Sequence, residues 1–593
     1  MGAPSRRQAI GCGVMLWAVC AVATGCAPVF GSKLPPPDLV QVPDAASAGL
    51  PAGAPPRPVP LVFTSPGTPR GTARTLAQEP ERRRTTPDAA SARAQTARAD
   101  VRTRQLEVIR QQVTQFGELR YLRSRRVPDS VCRNQTPGGD AVLHTFFSYS
   151  KNVAVYVRMC GERVVDVRDR AGATPAASPD EQKEAIDLAQ QDPRLKDQVA
   201  DLRPQALVTG ICRGRLLATL CSHRTLFVTF TKLGEEAPRY QAEVDLVDRR
   251  LLTAGPSAPA SAVRPNAQPL QPALLDESRE VWSGDAAWKG WKFHYEMDEG
   301  AQAGLVIENV EYQGQQFIRK MSLPVIRVKY KRDSVLYMPW TWRIFDRGCG
   351  PFKDQIDREA VRTIQRPVPT PGADDHPQPC PHAICYREWT DGDIAWLELG
   401  AYARIGQYHI YQAWYFSGPA RDRGPRPPAQ IAPVVWSGGV ACDMEHTHHP
   451  YWRLHFDIDG QGQDQLLVRR GDKWAIHSTE AEDLKVTAAG SANWLVRRPD
   501  SRRGVWIVPG DGDGAPDRFA NHDLSVRRYH DYEDDDWEFD FYDDLGYADK
   551  EPVDRQSDVV WYIGHAHHVT TGETRNRWQW HRAGPYLVIQ PAR

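Results

Sequence analysis

The chain of 593 residues lacks a charge of either sign in excess: 74 basic side chains stand against 74 acidic ones. A zero balance argues against a protein that grips nucleic acid through a general basic surface. Methionine is scarce at seven, whereas there are 18 Trp, 20 Tyr, 16 Phe, 48 Pro and 45 Gly. That mixture speaks against a helical bundle and for strands joined by turns. The apolar run from Ala9 to Ala23 is too short for a comfortable transmembrane span. None of the 11 cysteines falls in the tight CxxC pairs of a zinc ribbon. At about 150 residues per domain, the length allows three to four domains and a large buried core.

The run Ala9–Ala23 follows Arg6 and Arg7 and reads as an export signal. Its end, Val22-Ala23-Thr24-Gly25-Cys26, resembles a bacterial lipobox, which implies a lipid anchor on Cys26 and a periplasmic or cell-envelope location, with plain secretion as the alternative. Three cysteines belong to this signal. The other eight, Cys132, Cys160, Cys212, Cys221, Cys349, Cys380, Cys385 and Cys442, suit disulfides in an oxidising compartment. Cys212 and Cys221 sit where two strands could meet, and Cys349 has Cys380 or Cys385 as candidate partners.

The organisation read from the sequence is a signal over 1–26, then a Pro/Ala-rich linker over 27–100. A helix plus small α+β unit follows over 101–172, a second α+β unit over 173–255, a linker over 256–280 and a large β-sandwich over 281–593. Eleven prolines between Pro35 and Pro69 mark the first linker as an extended tether. Val101, Leu106, Ile109, Val113, Phe116 and Leu119 recur at helical spacing, as expected of a helix packed on the next unit. Ser178-Pro179-Asp180-Glu181 is a capping box with proline at the first helical position, opening a helix to about Leu195. Strands are expected at 144–150, 153–160 and 162–167 in the first unit, and at 206–212, 216–221, 225–231 and 240–252 in the second. From Val281 onward apolar and polar residues alternate between turn signals, as in Leu305–Tyr312, which is the pattern of a sandwich.

The strongest chemical signal is His446-Thr447-His448. In a strand, residues i and i+2 face the same way, so both imidazoles can converge on one ion. A second group, His565-Ala566-His567-His568, follows the apolar strand around Trp561. Three imidazoles with open positions suit copper or a catalytic zinc, and the lack of nearby cysteine argues against a structural zinc site.

These residues resemble the copper-containing amine oxidases, whose topaquinone cofactor is made from one of their own tyrosines. The family's H-x-H strand followed by R-L-D-x-D-x-D-G is matched by His446, His448, Arg453, Asp457, Asp459 and Gly460. Asp558-Val559-Val560-Trp561 resembles the strand before the third copper histidine; counting seven residues from Trp561 gives His568, and counting from Gly564 gives His567. The quinone strand resembles Gly406-Gln407-Tyr408-His409-Ile410 with Trp414 and Phe416. The resemblance implies a mainly β protein: a large C-terminal sandwich of the amine oxidase catalytic-domain kind, behind small cystatin-like α+β units. It implies Tyr408 as the topaquinone precursor, Asp346 in Phe345-Asp346-Arg347-Gly348 as catalytic base, Tyr330 as a hydrogen-bond partner of the cofactor, and a copper ion on His446, His448 and His568 or His567. The implied substrates are a primary amine and oxygen, in a divergent bacterial member that forms a homodimer. The chain departs from the family at Gln407 and His409, where Asn and an acidic residue are usual. A rival reading is therefore a copper-binding protein on the same fold that has lost the quinone, and a third is a metal-dependent hydrolase. A calcium site would draw on His455, Asp457 and Asp558, with imidazole replacing one carboxylate. The acidic run Asp531–Asp544 reads as a solvated loop, or as a field attracting cationic amines.

Overall fold

The strand Tyr408–Pro419 shows how the sandwich is assembled. Its even-numbered residues Tyr408, Ile410, Trp414 and Phe416 enter the main core, while Tyr411, Ala413 and Tyr415 belong to a second cluster on the other face. The same alternation runs through two large antiparallel sheets, one holding strands from Cys385–Asp391 to Pro585–Gln590, the other from Ser283–Trp288 to Asp558–Ile563. Because each strand offers an apolar row to the facing sheet, burial of these rows drives the two sheets together. Trp414 meets Trp452 edge-on across the interface, with ring centroids 5.0 Å apart, and Phe293 stacks on Phe416 at 4.3 Å.

The computed structural model describes residues 39–41, 89–126, 132, 141–171, 175, 177–209, 223–232, 238–257, 282–298, 303–330, 352–354, 356, 384–405, 408–421, 427–439, 445–460, 462–470, 473–485, 494–501, 503–510, 513–514, 522–529, 550–568 and 580–590. All lie in the unit Asp38–Arg593. The fold is mainly β, and among the described residues no helix is long and apolar enough to cross a membrane. The export signal, the acidic run Asp531–Asp544, and Cys212, Cys221, Cys349, Cys380 and Cys442 lie outside the described residues.

Two four-stranded antiparallel sheets precede the sandwich. The first helix spans Ala89–Gln112, starting inside the stretch read as linker and ending earlier than the helical periodicity suggested. Gly117 turns the chain with φ of 69°, a left-handed value that glycine adopts at little cost, and Leu119–Arg126 is a strand. Ile109, Val113 and Phe116 nevertheless pack on the sheet residues Phe146, Val155 and Met159, as the apolar spacing implies. The second helix, Pro179–Gln191, carries the expected capping box: Ser178 Oγ accepts from Glu181 N and Glu181 Oε2 accepts from Ser178 N. The stretch 240–252, expected as one strand, is parts of two, Pro238–Asp245 and Arg250–Pro256. Asp245 Oδ1 accepts from Val247 N and Asp248 N and so closes a turn between them. Cys132 and Cys160 form a disulfide that the spacing did not single out. Leu39–Gln41, within the Pro-rich tether, pairs as an edge strand with Lys473–His477 of the sandwich.

Candidate metal centre

The strand His446–Phe456 is buried on both faces, lying between Gln315–Tyr330 on one side and Asp558–Ile563 with Ala566–His568 on the other. Its register assigns each imidazole a direction. His446 pairs with His568, Thr447 with His567, and His448 with Ala566. Paired residues of antiparallel strands project to the same side, so His446, His448 and His568 share the inner face and His567 takes the opposite one. The side chains follow: the rings of His446 and His568 are 4.5 Å apart, those of His446 and His448 4.9 Å, whereas His567 is exposed and its Nδ1 lies 3.1 Å from Thr447 Oγ1.

Tyr408 comes from the facing sheet. It opens its strand, with Ile405 as its cross-strand partner. The buried ring lies 5.2 Å from His446 and 4.8 Å from His448, nearly perpendicular to the latter at 82°. His409 points the other way and shares a short hydrogen bond with Tyr402. His409 therefore stands on the sheet face away from the imidazoles. Gln407 lies outside the described residues.

Burial, reinforced by His446 and His568, holds the His448 imidazolium well below its ordinary range. Burial and the neighbouring His581 and His567 push His568 down to about 3. Both rings are therefore neutral at ordinary pH, the form that offers a lone pair to a metal. Both nitrogens of His448 are buried without a hydrogen-bond partner. Leaving such groups unsatisfied costs about 1–3 kcal/mol each, and ligation of an ion satisfies one of them. The donor set, three imidazoles on one face, thus fits a copper or zinc ion in its chemistry. Among the described residues the donors already within 4.8 Å of one another are elsewhere, at His223, Asp245 and Asp248 in the second small unit.

The second histidine group divides three ways. His565 Nε2 lies 2.8 Å from Asp523 Oδ1, the His565 backbone N–H donates to Asp513 Oδ1, and the His565 ring is 5.1 Å from that of His449. This carboxylate-linked pair is distinct from the inner trio. Of the residues named for calcium, His455 Nε2 is 3.0 Å from Ser557 Oγ and its ring stacks on Tyr529, while Asp457 Oδ1 accepts from Gly462 N. Burial holds Asp558 well above the usual carboxylate range, which disfavours the charge calcium needs.

Asp346 lies outside the described residues, and so does the side chain of Tyr330, whose backbone pairs with His446. Two residues near these positions carried no motif. His581, from the facing sheet, has its ring 4.0 Å from His568. Asp354, on a short strand paired with Ile326–Val328, is fully enclosed, and burial pushes its carboxyl up to about 7. A lone histidine beside Trp580 and Arg582, and an aspartate between lysine and glutamine, offer no spacing that marks them.

No family model matches the sequence, and no curated protein does. Among solved structures the chain is similar to a copper-containing benzylamine oxidase from Hansenula polymorpha, at 11% identity and a TM-score of 0.47 over 80% of this chain and 93% of that one. It is also similar to Pichia pastoris lysyl oxidase (10% identity, TM-score 0.46, 80% and 86% covered) and to an Aspergillus nidulans amine oxidase (10%, 0.44, 80% and 84%).

Proposed function

We propose that the protein is a copper-dependent primary-amine oxidase whose quinone is formed from Tyr408. The observation that carries this reading is the convergence, from two facing sheets, of the Tyr408 ring on His446 and His448. Self-processing to a quinone requires an oxidisable phenol beside a redox metal, and Tyr408 lies against two of the histidines that would hold one. His446, His448 and His568 would hold the copper ion. Copper and the quinone, when present, supply the electrophilic carbonyl and the path to oxygen by which a primary amine, oxygen and water become aldehyde, ammonia and hydrogen peroxide.

The remaining chemistry falls to this chain's own groups. Asp346 is assigned the base that removes a proton from the substrate carbon bearing nitrogen. Tyr330, on the strand paired with His446, is assigned a hydrogen bond that orients the ring at position 408. The apolar walls around Tyr408, including Ile405 and Ile410, exclude water from its ring. The same reading carries export through the N-terminal signal, a lipid anchor at Cys26 and a homodimer.

The decisive experiment is mass spectrometry of the Tyr408 peptide after aerobic loading with copper. The expected result is a modified tyrosine, together with peroxide release from a simple primary amine that phenylhydrazine abolishes. Bound copper with unmodified Tyr408 would instead support a copper-binding protein without the quinone. Hydrolysis with no peroxide would support a metal hydrolase.

A further inference from the structure

We propose that His581 is a fourth imidazole of the metal centre, contributed by the sheet that faces the His446–Phe456 strand. The inference rests on the copper reading above, but the residue belongs to none of the motifs that led to it. His581 begins the strand His581–Ala583, which pairs with Gln430–Gly438 in the register Ser437 to His581, Trp436 to Arg582 and Val435 to Ala583. Arg582 lies over the Trp436 ring at 5.2 Å, in the cluster on the outer face. Val435 belongs to the main core, so its partner Ala583 and, by alternation, His581 face inward.

Three of the ring separations are close to those of neighbouring ligands around one ion, although the donor atoms themselves have not yet converged. A metal–nitrogen bond of about 2.0–2.1 Å places an imidazole centroid roughly 3.2 Å from the metal, so two such rings lie about 4.5 Å apart at a right angle and about 5.2 Å apart at the tetrahedral angle. The separations of 4.9 Å for His446 and His448, and 4.5 Å for His446 and His568, fall in that range. His568 and His581, at 4.0 Å and 31°, lie just inside it, so shared ligation requires the half-buried His581 ring to turn.

The consequence is both chemical and mechanical. Four imidazole donors suit the tetragonal preference of Cu(II) better than three. An ion held by His446 and His448 on one sheet and His581 on the other also ties the two sheets together, so metal binding becomes part of the stability of the sandwich.

Pulsed and continuous-wave electron paramagnetic resonance of the Cu(II)-loaded full chain tests the assignment, using His581→Ala, His581→Phe and, as a reference, His567→Ala. The unaltered protein and His567→Ala are expected to show couplings from four imidazoles. Both His581 variants are expected to show three, with at least tenfold weaker copper binding. His581→Phe keeps a ring against His568 but removes the donor. If it behaves like the unaltered protein while His581→Ala does not, His581 only stacks and the proposal fails. Three couplings in the unaltered chain overturn it too, leaving the copper reading intact, whereas absence of copper binding removes both. Four couplings with unmodified Tyr408 would uphold this inference and sink the oxidase. Circular dichroism of the metal-free variants confirms folding before loading.

Discussion

The side-chain amide of Gln412 brackets the backbone of Leu305, accepting from its N–H at 2.8 Å and donating to its carbonyl at 2.9 Å. Two sheets are thereby joined four residues along the strand from Tyr408. Trp414 Nε1 donates to the same carbonyl, so removing the amide orphans chiefly the Leu305 N–H. Gln412→Ala is expected to lower stability by about 1–3 kcal/mol, read as a shift in the urea midpoint without a change in slope.

Gly304 stands against that amide. Its φ of +69° is left-handed, and a Cβ there would lie 2.1 Å from Gln412 Oε1. Gly304→Ala is expected to destabilise more than an ordinary surface change. The double variant with Gln412→Ala is expected to cost less than the sum of the two, because the clash disappears while the backbone strain persists. A double-mutant cycle in urea measures the difference.

Metal binding should distinguish neighbours in the sequence. Copper is expected to raise the melting temperature of the unaltered chain, the rise growing with free copper concentration. His448→Ala should abolish that rise and His567→Ala should leave it in place, since the latter side chain lies on the other face of the strand. Equal effects from both would remove His448 from the centre.

Asp354 supplies a pH dependence. Its folded carboxyl titrates at about 7, raised by burial from an ordinary value of 3.8. Between these values the unfolded chain has released its proton and the folded chain has not, so stability falls as pH rises from about 4 to about 7 and is level above. Asp354→Asn should remove this slope and gain stability at pH 7, by an amount on the order of a few kcal/mol. Asp464, also raised to about 7 by burial, titrates in the same window, so the difference between the variant and the unaltered chain is the quantity to measure.

In the second small unit, Glu181 is fully buried and bonded to Arg224 at 2.6 and 2.8 Å and to the Tyr149 hydroxyl at 2.6 Å. Burial alone would raise its carboxyl, but Arg224 and the hydrogen bonds hold it below its ordinary range. Arg224→Met leaves an unpaired buried carboxylate and is expected to cost about 3–5 kcal/mol. Adding Glu181→Gln should recover part of that loss in thermal unfolding.

Much of this architecture is local and therefore written in the chain. The capping box at Ser178 needs only four consecutive residues, and the alternation of Leu305–Tyr312 or Tyr408–Pro419 shows which side chains turn to a core. Boundaries were less legible where helical and strand periodicities run together, as at Leu119, or where a turn rests on a side-chain contact, as at Asp245. The site was legible in part for the same reason: His446 and His448 declare a shared face through their spacing alone.

Whether the partner on the next strand is His567 or His568 is a different kind of question. Adjacent residues of a strand face opposite ways, so a count along the chain that is uncertain by one reverses the answer. The cross-strand register puts His568, and not His567, on the face of His446. Nor does any spacing connect His581 to His568, or Tyr408 to His448, since their rings meet only because two sheets pack face to face. The sequence by itself determined a strand-rich sandwich, its small α+β units and a pair of inward imidazoles, all consequences of short-range pattern. The meeting of tyrosine and four histidines was left to the tertiary structure, because it depends on register and sheet packing over separations of tens to more than a hundred residues.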